Sequence, residues 1–80
     1  MATITIEYCK PCNYEPKAAS VALRIKEELG VLPQLVSGSG GVFEVRLDDQ
    51  LVFSKKATGE FPNPTKLIEM LRQRLAEEER

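Results

Sequence analysis

In "TITIEYCKPCNYEPK", residues 3–17, two structural periods meet at a pair of cysteines, and this junction indicates how the chain folds. The first half of the stretch alternates apolar and polar side chains, and this period of two predicts a β-strand. From Pro16 to Leu29 the apolar residues recur at helical spacing; proline suits the first turn of a helix, and Gly30 suits its end. The C-x-x-C pair, Cys9 and Cys12, therefore lies between a strand and a helix.

Beyond residue 30 the pattern predicts three more strands and one more helix. A strand that contains proline belongs at a sheet edge, because proline cannot donate to the ladder. Asn63 is a suitable N-cap for the last helix, with Pro64 as its first residue. The predicted segments are the edge strand "VLPQLV" (31–36), the loop "SGSGG" (37–41), the hairpin strands "VFEVRL" (42–47) and "LVFS" (51–54), the connection "KKATGEFPNP" (55–64), and a helix whose acidic end "EEER" (77–80) should fray.

The order β-α-β-β-β-α predicts a two-layer α/β domain that spans residues 1–80. A strand, a helix and a second strand normally form a right-handed parallel crossover, and the last two strands add an antiparallel hairpin. The result is a four-stranded mixed sheet with the strand order 4-3-1-2. Because the first and third strands are apolar on one side only, both helices are expected on the same face.

Composition narrows the classes of function. With 80 residues and a net charge of −1, the chain is predicted to bind neither nucleic acid nor a membrane surface. The N-terminus is not typical of a signal peptide, and no apolar run is long enough to span a bilayer, so a cytoplasmic location is expected. There is no histidine, and two thiolates are half of a usual zinc shell, so no metal or cofactor is predicted. A metal site would require a dimer that shares two C-x-x-C pairs.

Three segments, "YCKPCNY" (8–14), "GGVFEVRLDDQLVFSKK" (40–56) and "TGEFP" (58–62), make the chain resemble the selenoprotein W-like family, also called the Rdx family. The resemblance implies a reduced thioredoxin-like fold with a redox-active C-x-x-C pair. Selenoprotein members carry selenocysteine at the position of Cys12, so this chain looks like a cysteine homologue. It departs from thioredoxins proper, because Gly40 and Gly41 precede the third strand where those proteins have a cis-proline.

The predicted strand order brings separate segments to the cysteines. The start of strand three, at residues 38–41, and the end of strand four should lie beside the end of strand one. Glycines there would let another backbone approach closely. Lysines would favour a thiolate or an anionic thiol such as glutathione, which the resemblance also implies. The candidates are Cys9 and Cys12 as catalytic residues, and Lys10, Gly40, Gly41, Ser54 and Lys55 as substrate-binding or pKa-tuning residues, with Lys17 and Lys56 as further cations.

Two functions remain open. One is a thiol-disulfide redox protein, either an oxidoreductase or a redox adaptor, that uses Cys9 and Cys12 and acts on glutathione or protein thiols. The other is a non-enzymatic protein-interaction module whose cysteines sense redox state. The order of attack is also open: a helix that begins at Pro16 favours Cys12 as the attacking thiol, whereas a helix that begins at Pro11 favours Cys9. Tyr14 and Phe61 are interpreted as packing residues.

Overall fold

Four strands form one mixed sheet, and the helices cover one of its faces. The structure is a computed structural model that describes residues 3–78, without the side chain of Glu78. The elements are β1 (Ile4–Cys9), α1 (Glu15–Leu29), β2 (Gln34–Gly38), β3 (Phe43–Leu47), β4 (Gln50–Ser54), α2 (Lys55–Thr58) and α3 (Pro64–Glu78).

The strand order is β2-β1-β3-β4, which is the predicted order read from the other edge. β1 is parallel to β2 and antiparallel to β3, and β4 is antiparallel to β3. The end of β1 therefore lies between the end of β2 and the start of β3. Cys9 is paired with Gly38 on one side, and its backbone N–H donates to the carbonyl of Val42 on the other (2.8 Å).

One apolar core lies between the sheet and the two long helices, as the one-sided alternation predicts. Each strand turns successive side chains to opposite faces. On β1 the even-numbered residues are the ones buried against the helices, and on β3 the odd-numbered residues are. These strand residues form a single cluster with the buried residues of α1 and α3. From the strands the cluster includes Ile4, Ile6, Tyr8, Phe43, Val45 and Leu47, and from the helices Ala18, Val21, Ala22, Ile25, Leu67, Ile68 and Leu71.

The other face of the sheet, which we call the open face, carries no helix. Thr5 and Glu7 of β1 lie on it, and Cys9 shares their side of the strand by alternation. Glu44 and Arg46 of β3 lie beside them, and their side chains form an ion pair (3.1 Å). The cysteines are thus reached from the end of β1, where the open face and the helical layer meet.

The end of α1 and the start of α3 lie where the sequence predicts. α1 ends at Gly30, whose left-handed backbone (φ 75°) lets its N–H close the last turn on Lys26. α3 begins at Pro64, and the side-chain oxygen of Asn63 accepts hydrogen bonds from the N–H groups of Thr65 (3.0 Å) and Lys66 (3.4 Å). The prediction that the C-terminal tail frays falls partly on residues 79–80, which lie outside the described part of the chain.

Two predicted boundaries were wrong. β2 begins after Pro33 and includes Ser37 and Gly38, because it pairs with β1 as far as Cys9; these two residues were predicted as loop. The strand is nevertheless at the sheet edge, as predicted. The connection after β4 contains an unpredicted helical turn, α2, where the N–H of Gly59 bonds to the carbonyl of Lys55 (2.6 Å).

Candidate redox site

The two cysteines are brought together by a tight turn at the end of β1. The N–H of Asn13 donates to the carbonyl of Lys10 (3.0 Å), with Pro11 in the second position of this turn, where its fixed φ is favourable. Asn13 adopts a left-handed backbone (φ 63°), which asparagine tolerates better than most residues. The chain therefore doubles back, and Cys9 and Cys12 form a disulfide with their Cα atoms 5.3 Å apart.

The surroundings of the two sulfur-bearing side chains differ sharply. Cys9 is 1% exposed, because Val42 and Gly38 flank it on the neighbouring strands. Cys12 lies on the outside of the turn and is exposed to solvent. A partner molecule can therefore reach Cys12, whereas Cys9 is within reach of Cys12 alone.

α1 begins directly after this turn. Its first residue is Glu15, one residue before the predicted start, and Tyr14 is the capping position. The hydroxyl of Tyr8 donates a hydrogen bond to the Glu15 carboxylate (3.0 Å), which ties the end of β1 to the start of the helix. This hydrogen bond, with smaller contributions from desolvation and from the Glu15 charge, raises the pKa of Tyr8 above its usual value. Cys12 is nearer than Cys9 to the positive end of the α1 dipole along the chain.

Three aromatic rings pack in a row, and two of them, Tyr14 and Phe61, line a cleft that also includes Cys12. Phe61, from the connection between α2 and α3, packs edge-on against Tyr14 (ring centroids 4.9 Å apart) and against Phe43 (5.4 Å). Two ammonium groups lie over these rings. Lys17 is 5.5 Å from the Phe61 centroid, and Lys55 is 5.3 Å from Phe61 and 5.6 Å from Tyr14. The cleft is lined by Cys12, Asn13, Tyr14, Pro16, Lys17, Ser20 and Phe61.

The other predicted site residues lie around the same end of the sheet, but not all face the cleft. Lys10 is exposed, and its backbone N–H donates to Gly38 (3.2 Å). Gly40 and Gly41 form the turn into β3 with left-handed backbones (φ 71° and 77°), and Lys56 extends towards Gly40. Ser54 is buried on the open face, where its hydroxyl donates to Glu44 (3.3 Å).

Tyr14 and Phe61 contribute more to the site than their interpretation as packing residues suggested. They do pack, but their rings also lie under the ammonium groups of Lys17 and Lys55, and both rings line the cleft that includes Cys12. A signal was present in the sequence, because both residues fall inside segments that carry the family resemblance, "YCKPCNY" and "TGEFP". Their proximity depends on the path of the connection between α2 and α3, which the periodicity of the chain does not determine.

Two kinds of feature are absent from residues 3–78. No group of three or more histidine, cysteine, aspartate or glutamate residues in this part of the chain could hold a metal ion. No helix among the described residues is long and apolar enough to cross a membrane.

Comparison with known proteins places this arrangement in a family. The model of the Rdx family matches residues 3–73. Migration and invasion enhancer 1 of Mus musculus is 41% identical over 71 residues, and its counterpart in Bos taurus is 39% identical over 71 residues. Each of these alignments covers 88% of this chain and 62% of the relative, so the chain spans less than two thirds of their length.

Solved structures agree with the fold. A crystal structure of a protein from Bordetella parapertussis superposes with a TM-score of 0.84 at 28% identity, covering 91% of this chain and 96% of that one. A selenoprotein W-related protein from Vibrio cholerae superposes with a TM-score of 0.79 at 25% identity, covering 90% of this chain and 94% of that one. The two-layer thioredoxin-like architecture predicted from the sequence is therefore confirmed.

Proposed function

The chain belongs to the Rdx family, and on that premise we propose that it is a thiol-disulfide redox protein in which Cys12 attacks and Cys9 resolves. One observation carries the proposal: the two cysteines are disulfide-bonded, and only Cys12 is exposed. We propose a cytoplasmic location, where the reducing environment would keep the pair largely in its dithiol form.

The reaction is a dithiol-disulfide exchange. The Cys12 thiolate attacks one sulfur of a substrate disulfide, so a new S–S bond forms and one substrate thiol leaves. Cys9 then loses its proton and attacks Cys12. The Cys9–Cys12 disulfide forms, the second substrate thiol leaves with a proton, and the substrate has gained the two electrons that the cysteines have lost.

The local structure supports this order over the thioredoxin order. A helix that began at Pro11 would place Cys9 at its N-terminus, but α1 begins at Glu15. A thiolate near a helix N-terminus is stabilised by the dipole, and Cys12 is the nearer cysteine along the chain. The burial of Cys9 supports the same order, because a thiol with 1% exposure cannot meet a bulky disulfide.

The cleft supports an anionic thiol as substrate. Lys17 lines the cleft together with Cys12, and Lys55 lies over the Tyr14 and Phe61 rings, which also line it and offer apolar contact. Glutathione, a small peptide thiol with two carboxylates, matches this chemistry, and exposed protein thiols flanked by acidic residues match it as well. The role of the neighbouring Gly40 and Gly41 would be to let a substrate backbone approach.

The test is to trap the mixed disulfide. Cys9→Ser treated with oxidised glutathione should gain one glutathione on Cys12, seen by mass spectrometry, because the resolving thiol is gone. Cys12→Ser should gain little, because Cys9 is buried. Wild-type protein is the control and should pass to the internal disulfide without accumulating the adduct. An adduct that accumulates on Cys9 in Cys12→Ser would mean that the thioredoxin order applies.

A second candidate is an interaction module whose cysteines sense redox state. Of the six large apolar side chains exposed in the described chain, four lie around the edge strand β2: Leu23, Leu32, Leu35 and Val36. Residues 31–40 carry no charge, and such an edge is suited to pairing with an extended segment of another protein. Val42, an apolar residue at the end of the otherwise polar open face, is only 6% exposed and adds little to such a surface. Failure of the trapping experiment with every disulfide substrate would favour this candidate.

A further inference from the structure

The proposed reaction leaves one requirement without a residue to meet it. Cys9 must lose a proton before it can attack Cys12, yet Cys9 is 1% exposed, so water reaches almost none of it. A buried thiol in this position needs a proton acceptor nearby. The neighbours on its own strand and on the two adjacent strands are therefore the residues to search.

Glu7 is the acidic residue on the same side of β1 as Cys9. Side chains two residues apart on a strand share a face, and their Cα atoms are about 6.6 Å apart. The Glu7 side chain bends towards the Cys9 end of the strand: a methyl group placed on Gly38, the partner of Cys9 in β2, would lie 2.8 Å from Glu7 Oε2. The same methyl group would lie 2.9 Å from Val42 Cγ1, the residue that covers Cys9 on its other side.

The charges around Glu7 also set it apart. Glu44 stands directly opposite it on β3, and like charges in opposite positions destabilise a sheet. Glu44 is compensated by Arg46 (3.1 Å) and by the hydroxyl of Ser54 (3.3 Å). Glu7 is half-buried and has no hydrogen-bond or ion-pair partner among residues 3–78. β2 contributes no charged residue beside it, because that strand reads QLVSG.

We propose that Glu7 is the proton acceptor for the resolving cysteine, an inference that rests on the proposed function. When Cys12 carries the substrate as a mixed disulfide, the Glu7 carboxylate takes the proton of the Cys9 thiol. The Cys9 thiolate attacks Cys12, the internal disulfide forms, and the substrate leaves as a thiolate. Glu7 returns the proton to that thiolate or to water, which reaches the open face. Gly38 is the residue that leaves room for this carboxylate.

A charge effect and a proton-acceptor effect predict opposite results when the carboxylate is removed. If Glu7 acted only through its negative charge, it would oppose formation of the Cys9 thiolate, and its removal would speed resolution. If Glu7 accepts the proton, its removal slows resolution near neutral pH. At alkaline pH hydroxide takes the proton instead, so the difference disappears.

The experiment uses the reduced protein and the chromogenic disulfide dithiobis(nitrobenzoate). The first equivalent of coloured thiol reports attack by Cys12, and its rate depends on reagent concentration. The second reports resolution by Cys9, and its rate does not. We expect Glu7→Gln to slow the second release roughly ten- to a hundredfold near pH 7, to leave the first unchanged, and to match wild type near pH 10. Glu7→Asp should recover part of the rate.

Glu44→Gln is the matched control, because it removes the carboxylate opposite Glu7 and should leave the second release unchanged. A second release that is equally fast or faster in Glu7→Gln would overturn the inference. A slowing by one constant factor at every pH would also overturn it, because that pattern indicates a structural role. Absence of a second release in wild type would instead refute the proposed function.

Discussion

The two cysteines are the same residue type three positions apart, and their difference comes from the backbone around them. Cys9 still belongs to β1 and is flanked by two strands, whereas Cys12 lies on a turn closed by the hydrogen bonds from Asn13 N–H to Lys10 and from Tyr14 N–H to Cys9. The spacing of a C-x-x-C motif alone does not assign attack and resolution. The burial of Cys9, and the start of α1 at Glu15 rather than at Pro11, are what favour Cys12.

Lys17 and Lys55 should lower the pKa of the Cys12 thiol, because each cation stabilises the thiolate. The double variant Lys17→Gln/Lys55→Gln, made with Cys9→Ser, should raise the pH midpoint of Cys12 alkylation by about half a unit at low salt and by less at high salt. Lys26→Gln is the control, since Lys26 lies in the last turn of α1, away from the cleft. An unchanged midpoint at low salt would show that these charges are too well solvated to act on the thiol.

Tyr8 should make stability depend on pH above 10. Its raised pKa means that the folded chain keeps the phenol proton where the unfolded chain loses it, near pH 10. The folded state then binds more protons, so this contribution is complete below pH 10 and is lost as pH rises through the folded pKa. Urea unfolding of the oxidised protein between about pH 8 and 11 should show Tyr8→Phe less stable at the lower end and converging with wild type at the upper end.

Tyr14→Phe is the matched control for that titration. Its hydroxyl makes no hydrogen bond within the described chain, so the variant should follow the wild-type curve. A constant difference between Tyr8→Phe and wild type across the whole range would mean that the hydroxyl contributes by packing alone.

Among the elements, β2 decides how the site is enclosed. Its last residue, Gly38, is paired with Cys9, and a methyl group there would meet Glu7 and Val42 at 2.8 and 2.9 Å. Gly38→Ala should therefore cost about 1–3 kcal/mol in urea unfolding, and it should slow the second release of coloured thiol by displacing Glu7. Ser39→Ala, an exposed change at the next position, in the loop that follows β2, should do neither. If Gly38→Ala is destabilised but its second release is as fast as in wild type, the position of Glu7 does not determine the rate of resolution.

The elements also show what the sequence could and could not predict. Some features depend only on residues that are close together in the sequence, and these were predicted correctly. They are the period of two in β1 and β3 and the helix caps at Gly30 and Asn63. The extension of β2 to Gly38 was not predicted, because Ser and Gly have weak strand preference and are held there only by pairing with β1. The turn α2 was missed for the same kind of reason: four residues are too few to show a helical period.

At the scale of the whole molecule, the site is assembled from segments that are far apart in the sequence. The turn after β1, the loop before β3 and the connection between α2 and α3 meet at one end of the sheet. The strand order predicted this meeting for the glycine loop and for Lys55, since antiparallel neighbours alternate their ends. It could not place Phe61, whose position is set by long-range packing.

Phe61 should therefore affect both the stability of the fold and the pH at which Cys12 reacts. Its ring contacts Tyr14 and Phe43, and each aromatic pair contributes about 0.5–1.5 kcal/mol, so Phe61→Ala should lower the free energy of unfolding by about 1–3 kcal/mol. It should also free the Lys17 and Lys55 side chains and raise the pH midpoint of Cys12 alkylation in the Cys9→Ser background. Phe61→Leu keeps apolar bulk, so it should lose less stability but shift the midpoint in the same direction.

A double-mutant cycle of Phe61→Ala with Tyr14→Ala gives the decisive measurement. The two rings are 4.9 Å apart, so their effects on stability should be non-additive by about 0.5–1.5 kcal/mol. The same cycle on the alkylation midpoint should also be non-additive, because Lys55 lies over both rings. Phe53→Ala with Tyr14→Ala is the control cycle, since Phe53 makes no ring contact with Tyr14, and it should be additive. Additivity in the Phe61 cycle would mean that this connection supports the core without shaping the cleft beside Cys12.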